Sequence, residues 1–459
     1  MTTFPVSLVG DDLNVPCVDG EERRYLSLDS AASTPALPGV AQRVQEFLPW
    51  YSSVHRGAGY KSQLATESYE LARAAALAFA GGSDDDIAII CRNTTEAINQ
   101  LAYRLRLTED DVVVTTVVEH HANLLPWSRL PTARRHVECD VTGTFTPAAV
   151  VAVLDDGPTP KLLAITAAAN VTGWRPDLDA IISAAHERGV PVLVDAAQLA
   201  AHGPIPAAAD YVAWSGHKMY APFGAGILVG PRATFEDGDP FLAGGGAVDL
   251  VDLDEVVWTD PPEREEAGSP NVLGAVALHA AIDELESLGW PAIDAHEQEV
   301  ATRLRSGLAA LPGVRLLGPP LDVPTLAIAA FTVADVPHAL VAARLSAEFG
   351  IGVRHGCFCA HPYLIRLLGL PPDEIERYRQ DVLAGDRRRI PGAVRASAGL
   401  STTVEDVDRF LEAVARLCDG SPPPVAYEQD QRTGDYWPSG ESAPWSTGDR
   451  SLGATCSRG

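Results

Sequence analysis

Residues 211–226 read YVAWSGHKMYAPFGAG: an apolar run, then Ser215, Gly216, His217 and Lys218, then a Gly-rich turn. The run predicts a strand with Lys218 directly after it. Working outward, further short runs occur at 87–91 (IAIIC), 112–116 (VVVTT), 162–166 (LLAIT), 192–195 (VLVD) and 226–230 (GILVG). They alternate with Ala-rich or loop stretches, and 178–188 (LDAIISAAHER) carries apolar residues at helical spacing between two of them. This βαβ pattern predicts an α/β fold with a mostly parallel sheet and helices on both faces. Ligands of such sheets bind off the carboxyl ends of the strands. Polar residues just after the runs are therefore the candidates for chemistry.

From about residue 291 the texture changes. Helices are expected at roughly 293–311, 337–349 and 403–418, with a strand at 326–333 (LAIAAFTV) and a Cys-containing loop between them. This predicts a smaller α+β domain at 291–420, after a large domain at 25–290 and an N-terminal segment, 1–24, that packs with the small domain. Residues 421–459 are rich in Pro, Gly, Ser and Thr without periodicity, and are expected to be disordered or draped on the surface. Tyr436, Trp437 and Trp445 make that tail more aromatic than a pure linker, so it could dock on the body.

Composition narrows the classes. The chain has 459 residues, 46% of them hydrophobic, which is ample for a large core. The formal charge is −26. A field of that sign repels phosphate backbones and anionic lipid, so neither nucleic acid nor membrane is expected as a partner. No apolar run is long enough to span a bilayer. The opening MTTFPVSLVGDDLN lacks a basic stretch followed by an apolar one, so no secretory signal is expected. Seven cysteines are too few for a disulfide framework. The expectation is a cytoplasmic protein with reduced thiols.

A lysine deep at a strand terminus is desolvated, which lowers its pKa and makes it a usable amine nucleophile or base. The plainer alternative is a surface lysine in a loop. Asp195 ends the strand in VLVDAAQ, with Gln198 three residues on; alone, it reads as a helix cap. Together the two segments suit a pyridoxal phosphate enzyme, which needs a lysine for the aldehyde and an acid for the pyridinium nitrogen. The phosphate needs donors, and CRNTTEAIN (91–99) offers them. There a strand becomes a helix at Asn93 and Thr94, with Glu96 spaced as in a capping box. Free N–H groups at that helix start, with the hydroxyls of Thr94 and Thr95, would cradle an anion.

The chain resembles the class V aminotransferase family, and within it the cysteine desulfurases and selenocysteine lyases of the SufS-like group. The resemblance rests on ten pieces in order, among them LDSAASTP (28–35), EHHANLLPW (119–127), AANVTG (168–173), VDAAQ (194–198), SGHKMYAPFGAG (215–226), EAGSPN (266–271), VRHGCFCAHP (353–362) and VRASAGLSTTVEDVD (394–408). It implies a fold type I pyridoxal phosphate enzyme and a homodimer with sites near the interface. Lys218 would carry the cofactor, Asp195 would pair with its ring nitrogen, Gln198 would bond its ring hydroxyl and His120 would stack on the ring. Thr95, Ser215 and His217 would bind the phosphate, supported by Thr94. Ser269 would reach it from the second subunit. Asn170 and Arg395 would orient the substrate carboxylate. His121 reads as structural, and no metal is implied.

The cysteine loop decides the subclass. The resemblance puts Cys359 where a thiolate attacks the sulfur of bound L-cysteine, giving alanine and an enzyme persulfide that a sulfur-acceptor protein could draw on. An ordinary thiol, with pKa about 8.5, is only a few per cent ionised at pH 7. Arg354 and His355 are expected to help ionise it. Relatives commonly read T-G-H-H-C here, whereas this chain reads His355-Gly356-Cys357-Phe358-Cys359 and resembles the desulfurase-like part of molybdenum cofactor sulfurases. Cys357 would relay sulfur or simply pack. Glu265, where relatives often carry Phe, is a second departure. The altered loop keeps open another reaction of the same family, a C–S lyase, aminotransferase or epimerase. A non-enzymatic scaffold is the remaining alternative, and the intact Lys218, Asp195, His217 and Arg395 argue against it.

Overall fold

The structure is a computed structural model and describes residues 4–440. The large sheet has seven strands: β1 (Asp86–Cys91), β2 (Val112–Thr116), β3 (Ala133–Val137), β4 (Leu162–Thr166), β5 (Val192–Asp195), β6 (Tyr211–Ser215) and β7 (Gly226–Pro231), in the order β1-β7-β6-β5-β4-β2-β3. All neighbours run parallel except β7, which is antiparallel to both β1 and β6. All six predicted runs are buried along their whole length or nearly so, as strands covered on both faces must be. β3 went unseen in the sequence because it is the sheet edge and reads ARRHV, mostly exposed. Helices α1 (Tyr60–Phe79), α2 (Thr94–Arg104), α3 (Leu178–His186) and α4 (Val272–Leu288) flank this sheet.

A second unit follows. Helix α5 (Trp290–Ala310) leads into strands β8 (Val314–Leu317) and β9 (Ile328–Val333), helix α6 (His338–Phe349), strand β10 (Arg354–Gly356), helices α7 (His361–Leu368) and α8 (Pro372–Leu383), strand β11 (Ala393–Ser397) and helix α9 (Val404–Cys418). Its sheet is antiparallel, ordered β8-β9-β11-β10, so β10 is an edge. Leu304, Phe331, Leu345 and Phe410 form its own core. The N-terminal residues lie along it. The Val18 amide bonds the Ala347 carbonyl (2.9 Å), and Leu26–Ser27 pairs in parallel with Ile351–Gly352. That contact runs past residue 24: the Ser397 amide bonds the Leu28 carbonyl (2.8 Å).

Of the two readings of the tail, disordered or draped on the body, the described part follows the second. Residues 421–440 are ordered and contain a hairpin, β12 (Tyr427–Gln429) with β13 (Tyr436–Pro438). Trp445 and Cys456 lie outside the described residues.

One buried carboxylate ties α1, β1 and the segment before α4 together. Glu266, its side chain 4% exposed, accepts from the Tyr69 hydroxyl (2.6 Å), from the Arg73 guanidinium (2.5 and 3.1 Å) and from the Ile90 amide (2.6 Å). Removing one partner of a buried pair strands the other charge. Glu266→Ala is expected to destabilise the fold by about 3–5 kcal/mol, read as a lower midpoint in urea titration followed by tryptophan fluorescence.

Candidate active site

The carboxyl edge of the large sheet opens into a cavity of about 310 Å3. Register builds it: Thr166 sits beside Asp195, and Asp195 beside Ala213, so β4, β5 and β6 end together. Lys218 follows β6 and faces the cavity. Burial lowers its pKa to about 8, although Asp195 pulls the other way. Its ammonium has no hydrogen-bond partner among the described residues. Asp195 is 3% exposed and accepts one hydrogen bond, from the Ala197 amide (3.0 Å). Burial raises its pKa, against the pull of Lys218. Gln198 donates to the Ala31 carbonyl (2.8 Å).

The start of α2 supplies an anion cup. The Thr94 amide and hydroxyl both contact the Ser215 hydroxyl at 2.7 Å, and Thr95 and His217 line the same cavity. Asn93 caps α2 by accepting from the Glu96 amide (3.0 Å). Glu96 does not return the bond to Asn93 but accepts from the Arg92 amide (2.5 Å), so the predicted capping box is only half formed. Gly226 lies against this turn, where a Cβ would overlap the Asn93 backbone.

On the opposite wall, His120 accepts at Nδ1 from the Ala122 amide (3.0 Å). Burial, with Lys218 nearby, lowers its pKa to about 3. Glu119, which no sequence argument singled out, is fully buried beside it. It accepts from the Thr116 hydroxyl (2.7 Å), the Asn123 amide group (2.7 Å) and the Thr166 amide (3.1 Å), and burial raises its pKa to about 8. Arg395 donates to the Asn170 carbonyl (2.8 Å) and to Asp29 (3.3 Å). Burial lowers its pKa to about 10. Its Nε and the Asn170 Oδ1 are buried with no hydrogen-bond partner.

Cys359 is exposed at this cavity. Phe358 and Cys359 both have left-handed backbones, φ +54° and +53°, a costly conformation for side chains of this kind. The loop is clamped to hold it. The Asn170 side chain donates to the Phe358 carbonyl (2.7 Å) and the His121 amide to the Cys359 carbonyl (2.7 Å). The buried Phe358 ring lies 5.1 Å from the Arg395 guanidinium. The phenyl ring thus packs against the arginine and supports it.

Two expectations change. His355 does not line the cavity; its Nε2 pairs with Asp435 (3.3 Å), so it is not the aid to Cys359 that the sequence suggested. Arg354 does line it, but pairs with Asp29 (2.8 Å). Ser269 is exposed and lines a separate cavity with His55 and Arg56. Glu265, the other residue the sequence marked as unusual, is buried against Gln100 (3.0 Å) and Arg104 (3.5 Å). His121 stacks on His361 (5.1 Å between ring centres).

Residues 26–410 match the family described as Aminotransferase class-V. The chain belongs to the class-V aminotransferase family. This class-V chain is 33% identical over 413 residues to the probable cysteine desulfurase of Vibrio cholerae, covering 88% of this chain and 95% of that protein. It is 33% identical over 428 residues to the cysteine desulfurase of Dickeya dadantii, covering 90% and 97%. Among solved structures, the apo cysteine desulfurase of Thermococcus onnurineus superposes with a TM-score of 0.77 at 31% identity, over 86% of this chain and 95% of that one. The fold is accordingly type I of the pyridoxal phosphate enzymes.

His120 is expected to stay neutral from pH 8 down to about pH 4 and to protonate only near pH 3. An unfolded histidine takes its proton near pH 6.5, so acidification below that value favours the unfolded chain. Imidazole NMR shifts of the ring-labelled protein read this directly, and a midpoint near 6.5 would contradict it.

Proposed function

We propose that this class-V protein is a pyridoxal phosphate-dependent cysteine desulfurase. The observation that carries the reading is that Lys218, Asp195, Arg395 and Cys359 line one cavity. The residues fit the cofactor. An amine without a hydrogen-bond partner, a buried carboxylate with one donor and a helix start rich in hydroxyls supply its three needs. Lys218 would hold it covalently, Asp195 would face the ring nitrogen, Gln198 the ring hydroxyl and His120 the ring. Thr94, Thr95, Ser215 and His217 would take the phosphate, with Ser269 of a second copy. Bound there, the cofactor supplies an electron-poor ring that accepts the electron pair freed at the substrate Cα.

The remaining steps belong to the protein. Arg395 and Asn170 seat the substrate carboxylate; the unpartnered Arg395 Nε is a free donor for it. Lys218, with its pKa lowered toward neutrality, can take the Cα proton as an amine and return it as an ammonium. The Cys359 thiolate attacks the substrate sulfur. The carbon–sulfur bond breaks with its electron pair going to carbon, which is protonated to alanine, and Cys359 keeps the sulfur as a persulfide. Cofactor-loaded protein given L-cysteine and a thiol reductant should yield alanine and sulfide in equal amounts. Lys218→Ala and Cys359→Ala should each lower both by at least about a hundredfold. If Cys359→Ala keeps its turnover while Lys218→Ala does not, a C–S lyase reaction replaces the persulfide route, a reading favoured by the histidine missing from the loop.

A homodimer suits this reading. The hairpin of Val248–Val251 and Val256–Trp258 exposes Leu250 (66%), Val251 (55%) and Leu253 (101%), an apolar patch that calls for a covering surface. A second copy is the occupant proposed. Sedimentation should give twice the 48.6 kDa chain mass, and Leu253→Glu should shift the protein toward monomer. Monomer at micromolar concentration would overturn the dimer.

A further inference from the structure

The ordered tail lies beyond residue 410, where the family match ends, and has no part in the site just described. It is nonetheless tied to it. The hairpin β12–β13 is anchored to α6 and to the loop after α8. The Arg344 side chain donates to the Ser421 carbonyl (3.2 Å) and the Tyr427 hydroxyl to Glu348 (3.1 Å). The Arg387 amide donates to the Gln431 carbonyl (2.9 Å), and the Gln429 side chain to the Arg388 carbonyl (2.9 Å). Gly434 turns the hairpin tip with φ +82°, where a Cβ would overlap the Arg387 carbonyl. These contacts deliver Asp435, just before β13, to His355 (3.3 Å).

His355 is the middle residue of β10, an edge strand with β11 on one side only. Its ring also lies 5.4 Å from that of His338, which bonds the Ile390 carbonyl (3.0 Å). Its strand neighbour Arg354 lines the cavity and stands in register with Arg395, and both arginines share Asp29. The chain then runs through Cys357 to Cys359. An edge strand of three residues is hydrogen-bonded along one side only, so a tether on its other side has leverage.

We propose that the C-terminal hairpin is a strap for the cysteine loop and that Asp435 is a positioning residue. By pairing with His355 it fixes the strand that carries Arg354 into the cavity and leads into Cys359. The proposal rests on the desulfurase reading for its kinetic consequence, but not for its structural one.

The test uses the cofactor-loaded chain, its Asp435→Asn and Asp435→Glu variants, a chain cut after Gly420 and a chain cut after Gly440. Iodoacetamide labelling of Cys359, read by tandem mass spectrometry, reports the loop without any turnover. Asp435→Asn should label roughly two- to fivefold faster, as expected for loss of one partly exposed ion pair. Asp435→Glu should recover most of the original rate. The cut after Gly420 should label at least as fast as Asp435→Asn, and the cut after Gly440 like the full chain. Alanine formation should show kcat reduced in step with loosening and the cofactor absorbance unchanged. Unchanged labelling in both Asp435→Asn and the Gly420 cut overturns the strap, as does equal acceleration by the Gly440 cut. If the unmodified enzyme forms no alanine, the desulfurase reading fails while the labelling comparison still decides the strap.

Discussion

A cation and an anion held out of water at neighbouring strand ends dominate this molecule. Lys218 and Asp195 are each pushed toward the neutral form by burial, and each is partly held in its charged form by the other. Neither cost is tolerable in an ordinary core. Here it is sustained by three strands ending at one level and by a helix start that lines the same space. His120 and Glu119 follow the same pattern: burial disfavours the charged form of each, although three hydrogen bonds to Glu119 pull the other way.

The cysteine loop is the second costly element. Two consecutive left-handed residues with side chains persist only where the surroundings over-determine them. Asn170, His121 and the Phe358–Arg395 contact do so. Two of these, Asn170 and Arg395, are the groups assigned to the substrate carboxylate. Substrate seating and thiol presentation are therefore mechanically joined through a phenyl ring, where a histidine would have offered proton transfer instead.

How much could be read in advance follows from burial. Strands covered on both faces write themselves as apolar runs, so the sheet and the points where it ends were legible. Their direction was not, because an antiparallel strand such as β7 has the same pattern as a parallel one. β3 left no apolar signature at all. Lys218, Asp195 and Arg395 were legible through ordered motifs, whose spacing is set by the strand and helix lengths between them. Partners far apart in the chain were not: nothing near His355 points to Asp435, and only the oddity of Glu265 hinted at Arg104. The tail composition suggested disorder because Pro, Gly and Ser also serve tight turns, as at Gly434. Tyr436 and Trp437 were the one clue to the contrary, and both lie in β13.

Asp29 holds one arginine 325 positions and another 366 positions further along the chain. During synthesis at roughly 5–20 residues per second, that carboxylate waits about 15–65 s for its first partner. Until then the apolar segment around Leu26 and Leu28 lacks the strands that cover it. The final closure of the pocket is thus a late event in the life of the nascent polypeptide, set by the arrival of its far end rather than by the folding of its first half.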